Sequence, residues 1–330
     1  MKRIYFGFIF LCVTLLSIGC SSDDGNPIVV PPVEPEMTPP SAAVFKELQK
    51  EALNKMTQRT KFSAEDGLVF VSEKGVELQI PPESLTTKQG AMVEGEVELE
   101  FIEFYDRASM VLANKPLMGN NGEDAYVPLI TGGQFYINVT QNGMDLQGHY
   151  FNMVVPAENT GTLNNEMTLW EGLFNEDGNL EWNEFNPGQE LGGVFADAET
   201  NSYQVYLRDF GWTNIDILAS LEGEKTPIVV KTPDGYDNKN SAVYVAYKGE
   251  PGVLAYLDVY SVSSGSFTEH YGWGPIGFEM YIIFVSESNG GLIYAIQEVK
   301  LEKNKVITIA MSDLKSATEA ELSAIIKALP

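Results

Sequence analysis

The chain has 330 residues, with 46 Asp and Glu against 21 Lys and Arg, for a formal charge of -25 at pH 7. So acidic a chain repels phosphate backbones, which excludes nucleic acid as an expected partner. Two cysteines and two histidines leave little for thiol, zinc or histidine-dependent chemistry, while 44% hydrophobic residues suffice for a buried core at a length that favours about two domains.

Lys2 and Arg3 precede an apolar run from Ile4 to Ile18, too short to cross a bilayer comfortably but suited to a secretory signal. The run ends in Ser17-Ile18-Gly19-Cys20, which resembles the bacterial lipobox, with Ser17 at the place usually held by Leu. The resemblance implies cleavage after residue 19 and lipidation of Cys20. Several acyl chains make a durable membrane anchor, because each buried methylene adds about 0.8 kcal/mol. Asp23 and Asp24 resemble the acidic export signal of surface lipoproteins in Bacteroidetes-type bacteria, which implies an outer-membrane protein exposed on the cell surface. Cleavage removes Lys2 and Arg3 but no acid, so the charge moves from -25 by two further units to -27. Cys12 leaves with the signal, so no disulfide is expected.

Residues 20–41 read as the lipidated cysteine and an extended tether, rich in Pro and acids through "VPPVEPEMTPP". At about 3.1 Å per residue such a stretch spans on the order of 60 Å. A helix follows, capped by Ser41, with Phe45, Leu48, Ala52 and Met56 in one apolar stripe suited to core packing.

Beyond Phe62 the pattern turns to period two. "GLVFVSEKGVELQIPPESL" predicts two strands around a Glu73-Lys74-Gly75 turn, and "VEGEVELEFIEF" sets Val93, Val97, Leu99 and Phe101 opposite Glu94, Glu96, Glu98 and Glu100. Carboxylates about 6.7 Å apart on one strand face repel by only about 0.6 kcal/mol per pair in water, so a solvated face is expected rather than a calcium site, which needs converging oxygens. The alternation slips at Ile102, where a bulge or strand end is expected. Further strands are "GGQFYINVTQNG", "YFNMVVP", the pair "EMTLWEGLF" and "NLEWNEF" around Asp177-Gly178, and "SYQVYLRDF".

A second strand-rich block follows from about Thr226, with "PIVVKT", "SAVYVAYKG", "GVLAYLDVYSV", "FEMYIIFVSES", "GLIYAIQEVKL" and "KVITIAM". A last helix has Thr318 and Glu321 as a capping box and Leu322, Ile325, Ile326 and Leu329 as its apolar stripe. The expected fold is all-β: two β-sandwich modules, at 42–224 (with the first helix) and 225–330 (with the terminal helix).

In "DGLVFVSEKGVELQIPPESL", "GEVELEFIEFYD" and "TGGQFYINVTQNG" the first block resembles the ZU5-type or GAIN-like β-domain of Bacteroidetes lipoproteins, over roughly residues 62 to 220. "DFGWTNID" resembles a Gly-Trp motif of the same group. The likeness implies a fold and is silent on activity. Some such relatives cleave themselves at a His, apolar, Ser or Thr tripeptide. Here His149 is followed by Tyr150, Phe151 and Asn152, so self-cleavage is not expected.

No Gly-x-Ser-x-Gly elbow, His-Glu-x-x-His helix or Cys cluster is present. "GWGPIG" spells a dinucleotide fingerprint, but a strand rather than a helix follows it. "DGNLEWNE" and "DGYDNKN" read as turns, and neither fits the twelve-residue calcium loop. Neither a cofactor nor a metal is expected. Trp170 and Trp182 in strands read as core, as does Trp212. The segment "TEHYGWG" is the candidate ligand site, because Glu269, His270, Tyr271 and Trp273 crowd a Gly-rich loop. The sequence thus points to a membrane-anchored, non-catalytic protein with a binding or structural role, its partner a glycan or an envelope protein. The alternative is a carboxylate-dependent hydrolase or transferase acting on polysaccharide.

Overall fold

The structure is a computed structural model that describes residues 37–330, apart from 121–125, 177, 186–191, 220–221 and 270–273. It is mostly strands, with two sandwich modules, a short N-terminal helix and a C-terminal helix, and residues 37–330 form one compact unit. Residues 20–36, including Cys20, lie outside the described residues. Pro40 O accepts from Asn240 Nδ2 at 3.2 Å and the Thr38 N–H donates to Ser288 Oγ at 3.2 Å, so the end of the expected tether lies against the second module.

Helix α1, Ala42–Lys55, starts where the Ser41 side chain accepts from the Val44 N–H, and buries Phe45 and Ala52. Sheet I runs, in spatial order, through Gln58–Ser63, Glu96–Phe104, Tyr126–Gln141, Gly211–Leu218, Thr168–Phe174, Leu180–Glu184 and Met118–Asn120. Met118–Asn120 also pairs with the start of Tyr126–Gln141, which closes five of these strands into a ring. Sheet II (Gly193–Asp197, Ser202–Leu207, Phe151–Pro156, Glu77–Ile80, Leu68–Val71) covers one face of sheet I. Leu99, Phe101, Phe135, Ile137 and Val139 meet Leu78, Met153, Val155 and Val205 there, all at most 1% exposed. Burying such side chains contributes about 1.5–3 kcal/mol each.

The second module pairs sheet III (Leu254–Tyr256, Ser241–Tyr247, Glu279–Ser288, Gly291–Lys300, Lys315–Ala317) with sheet IV (Val259–Ser261, Ser266–Thr268, Val229–Lys231, Val306–Thr308). The stretch expected as one strand, "GVLAYLDVYSV", divides after Tyr256 and changes sheets, with Leu257 N–H donating to Val243 O at 3.0 Å. Every residue of Ser241–Tyr247 is buried, because the strand is covered on both faces. The terminal helix, Glu319–Lys327, has the expected capping box of Thr318 and Glu321 and buries Leu322 and Ile326, leaving Ile325 36% exposed.

The division near residue 225 marks a change of sheets, but the packing is continuous across it. Helix α2, Arg107–Ala113, is buried along six of its seven residues and packs against α1 and the terminal helix. Its Arg107 guanidinium donates to Leu329 O at 3.2 Å, and Leu117 N–H donates to Leu254 O at 3.0 Å. One apolar core joins Ile102, Phe104, Trp170 and Trp182 of the first module to Tyr244, Ile283 and Phe284 of the second.

That shared core corrects the expectation at Ile102. The strand runs through Phe104 with unbroken pairing and no bulge. The even-numbered face is solvated at Glu96, Glu98 and Glu100, and Ile102 and Phe104 then turn it into core at 2% and 1% exposure. Arg59 and Lys61 on the neighbouring strand reach Glu100 at 3.0 Å and Glu96 at 2.7 Å.

The same covered face holds a buried polar cluster. Asn214 and Gln134 are cross-strand partners, as are Asp216 and Thr131 across a bulge at Ile215/Asp216. Asn214 Nδ2 donates to Asp216 Oδ2, while both polar atoms of Gln134 and Asp216 Oδ1 have no hydrogen-bond partner among the described residues. Burial pushes the Asp216 carboxyl well above the usual carboxylate range. A raised folded-state value gives stability that is present below about 4 and is lost as pH rises toward that value. Asp216→Asn is therefore expected to be more resistant to urea than the parent at pH 7, with the difference vanishing near pH 4; equal midpoints at both pH values would refute a buried, charge-penalised Asp216.

Candidate functional site

Helix α2 ends in a way that aims one lysine. Asp106 caps its start by accepting from the Ser109 N–H at 3.0 Å. At its end Asn114 takes a left-handed conformation (φ 50°), and Lys115 N–H donates to Met110 O at 2.8 Å. This closure is that of a Schellman turn, and Pro116 stops any continuation. Lys115 is thereby set between the modules rather than out on the surface.

Its ammonium lies 5.6 Å from the Phe174 ring centroid and 5.7 Å from that of Trp212. Ring faces attract a cation at this range. Beyond these rings, Nζ has a 3.4 Å hydrogen bond to Asn114 O and, among the described residues, no ion pair. Burial pushes the Lys115 amine down to about 8.

The aromatic floor has a packing origin. Trp212 and Tyr136 are cross-strand partners in sheet I, with ring centroids 5.2 Å apart. Trp182 stands edge-on to Trp212 at 6.5 Å and donates Nε1 to Pro116 O at 3.0 Å. Gly172 faces both tryptophans across the strands: a Cβ there would lie 2.6 Å from Trp212 Cβ and 2.9 Å from the Trp182 ring. Only glycine lets them close. Phe174, two residues on, is 56% exposed and forms the rim.

The result is a groove of about 580 Å³ between α1 and sheet I. Its floor is Trp212, Tyr136 and Ile102, and its walls carry Glu47, Glu51, Glu100, Lys50 and Arg59. Two of the acids are engaged in ion pairs, Glu47 with Lys50 at 3.3 Å and Glu100 with Arg59 at 3.0 Å. A second groove of about 760 Å³ adjoins the first through Lys50, Leu53 and Lys115, and is edged by Lys46, Lys239, Tyr256, Asp258 and Tyr260. Such volumes suit several linked small units.

Of the residues singled out from sequence, Cys20, His270, Tyr271 and Trp273 lie outside the described residues. Glu269 is 6% exposed, and its carboxylate accepts from the Ile228 N–H at 3.1 Å, an interaction that ties down the backbone. The two acid and amide loops are turns: Asn175 Oδ1 accepts from the Asn179 N–H at 2.9 Å and Asp237 Oδ1 from the Lys239 N–H at 2.8 Å. Trp170 and Trp182 are core at 1% and 0% exposure. Sequence reasoning missed Lys115, Phe174 and Tyr136. The signal for Lys115 was the run "DRASMVLANKP", with an Asp cap before it and Asn and Pro after it.

No described family matches the chain, and no solved structure matches it. An endoglucanase of Cryptopygus antarcticus is 30% identical to it over 88 residues, which are 25% of this chain and 35% of that protein. The chain thus spans about a third of the length of that relative.

Lys115 should titrate apart from the exposed lysines. In the pH window between about 8 and its ordinary value of 10.5 the folded chain holds fewer protons than the unfolded one, so unfolding becomes harder as pH rises through it. Reductive methylation with a carbon-13 label, followed by NMR, is expected to show one resonance with a midpoint near 8 that disappears in Lys115→Met.

Proposed function

We propose that the protein is a lipid-anchored, surface-exposed outer-membrane protein that binds a glycan in the groove between α1 and sheet I without cleaving it. The observation that carries this reading is the groove itself, where Trp212, Tyr136 and Phe174 are bordered by Lys50, Arg59, Glu47 and Glu100. Sugar rings have an apolar C–H face that packs on aromatic rings and a periphery of hydroxyls that needs charged or amide partners. The endoglucanase likeness supports a glycan as the ligand class, since that protein's name describes action on a glucan.

A glycosidase needs two carboxyls about 5–10 Å apart in a cleft, one of them protonated as the acid. Two of the three groove glutamates are instead drawn to basic side chains. Binding is therefore the preferred reading, and hydrolysis of polysaccharide by a carboxylate pair, which the endoglucanase likeness favours, is the second.

The anchor belongs to the same proposal and is supported by the lipobox-like Ser17-Ile18-Gly19-Cys20 and by Asp23 and Asp24. So does the ZU5-type or GAIN-like likeness of residues 62 to 220, which brings no activity with it. A glycan or an envelope component would be the partner outside the membrane.

Phe174→Ala tests the groove, because this ring is exposed and contributes little to the core. Affinity electrophoresis against galactomannan, soluble β-glucan, polygalacturonate and alginate is expected to show binding by the parent and about a tenfold loss in the variant, with an unchanged melting temperature. Absence of binding to all four would refute the glycan reading, and release of reducing sugar by the parent would favour the hydrolase. For the anchor, labelling cells with a radioactive fatty acid should mark the parent and leave Cys20→Ser unlabelled.

A further inference from the structure

The two adjoining grooves have a charge balance opposite to that of the chain. Among the described residues they are lined by five basic residues, Lys46, Lys50, Arg59, Lys115 and Lys239, and by four acids, Glu47, Glu51, Glu100 and Asp258. In the whole sequence acids outnumber basic residues by 46 to 21. Among the described residues Lys46, Lys115 and Lys239 have no ion-pair partner. Lys74, Lys231, Lys300 and Lys315 also have none among the described residues but line neither groove, whereas these three gather where α1, the end of α2 and the turn at Asn238-Lys239 converge.

Lys115 is the most constrained of the three. It stands where the two grooves meet, held between the Phe174 and Trp212 rings. An ammonium in such a place is half-buried, and an incoming anion would give it a charged partner while its sugar ring stacks on the same aromatics. We propose that the groove selects glycans bearing anionic groups, carboxylate or sulfate, and that Lys115 receives the anion while Lys46 and Lys239 extend the contact along the second groove. This rests on the glycan reading above and names its ligand class.

The overall charge of -25 opposes the approach of any polyanion. At 0.15 M salt, however, charges more than about 8 Å away are largely screened, so the local lysines decide the outcome at contact. Binding is therefore measured at that ionic strength.

The full chain in detergent is titrated by calorimetry with polygalacturonate and alginate as carboxylate polymers, dextran sulfate as the sulfated one, and galactomannan and soluble β-glucan as neutral ones. Expected is at least a tenfold preference for one or both anionic classes over the neutral polymers, and the class preferred tells carboxylate from sulfate. Lys115→Met keeps the side-chain stem and removes the charge; it should abolish the preference while leaving the circular dichroism spectrum unchanged. Lys46→Gln with Lys239→Gln, both exposed, should reduce it part-way, and provides the test should Lys115→Met fold poorly. Equal or tighter binding of neutral polymers, or a preference indifferent to these variants, overturns the inference. Neutral binding that is lost in Phe174→Ala but insensitive to Lys115→Met would leave the glycan reading standing and this inference refuted; no binding of any polymer would refute both.

Discussion

Sheet I is covered on both faces along its central strands, and that constraint places every other layer. Leu99, Phe101, Ile137 and Val139 face sheet II, while Ile102, Phe104 and Trp212 face α2 and the second module. A sheet exposed on one side tolerates polar residues at every second position; here a strand can change from a solvated to a buried face along its own length. The Glu96–Phe104 strand does so within nine residues, from a carboxylate ladder to Phe104. The groove is the seam where this change happens, which is why charged and aromatic residues meet there.

A row of cross-strand pairs leads inward from that seam. Trp212 opposes Tyr136, Asn214 opposes Gln134, and Asp216 opposes Thr131. The first pair is the groove floor and the next two are the buried polar cluster. Unpaired polar atoms in a core cost about 1–3 kcal/mol each, so the unpartnered Gln134 amide and Asp216 Oδ1 mark the least well satisfied part of an otherwise apolar interior. The tryptophans offset this by bonding outward from their own rings: Trp170 Nε1 donates to Asp216 O at 3.1 Å and Trp182 Nε1 to Pro116 O at 3.0 Å. Trp182 thus fixes the loop that follows Lys115 while its ring supports Trp212. The position of the lysine and the position of the floor have one cause.

Much of the fold is legible in the sequence because it is written in local patterns. Ser41, the Thr318 and Glu321 box and the Glu73-Lys74-Gly75 turn fix chain direction by bonds three or four residues long. Two-sided burial is not written that way. At Ile102 the pattern reads as an error in alternation, since nothing nearby announces that the helices and the second module will cover this face of the strand. Helix α2 was invisible for the same reason: "RASMVLA" is too short and too evenly apolar to show a stripe, and it is stable only because it is buried among α1, the terminal helix and sheet III. The candidate site fared worst because its parts lie far apart in sequence. Arg59, Lys115, Tyr136, Phe174 and Trp212 come from five separate elements, and only the layer packing joins them.

Several exposed lysines of this acidic chain pair with a carboxylate, as Lys61, Lys88 and Lys248 do. Those surface pairs are screened by water and salt and are exchanged at little cost. Lys115 has no such freedom, because the left-handed Asn114 and the rigid Pro116 fix its backbone on both sides and the ring faces fix its side chain. A methionine of similar length would fill the same space without carrying a charge into a partly buried seam. Space filling alone does not call for an ammonium there; the Phe174 and Trp212 ring faces attract one, and the anionic ligand proposed above would supply the full negative charge that the rings lack.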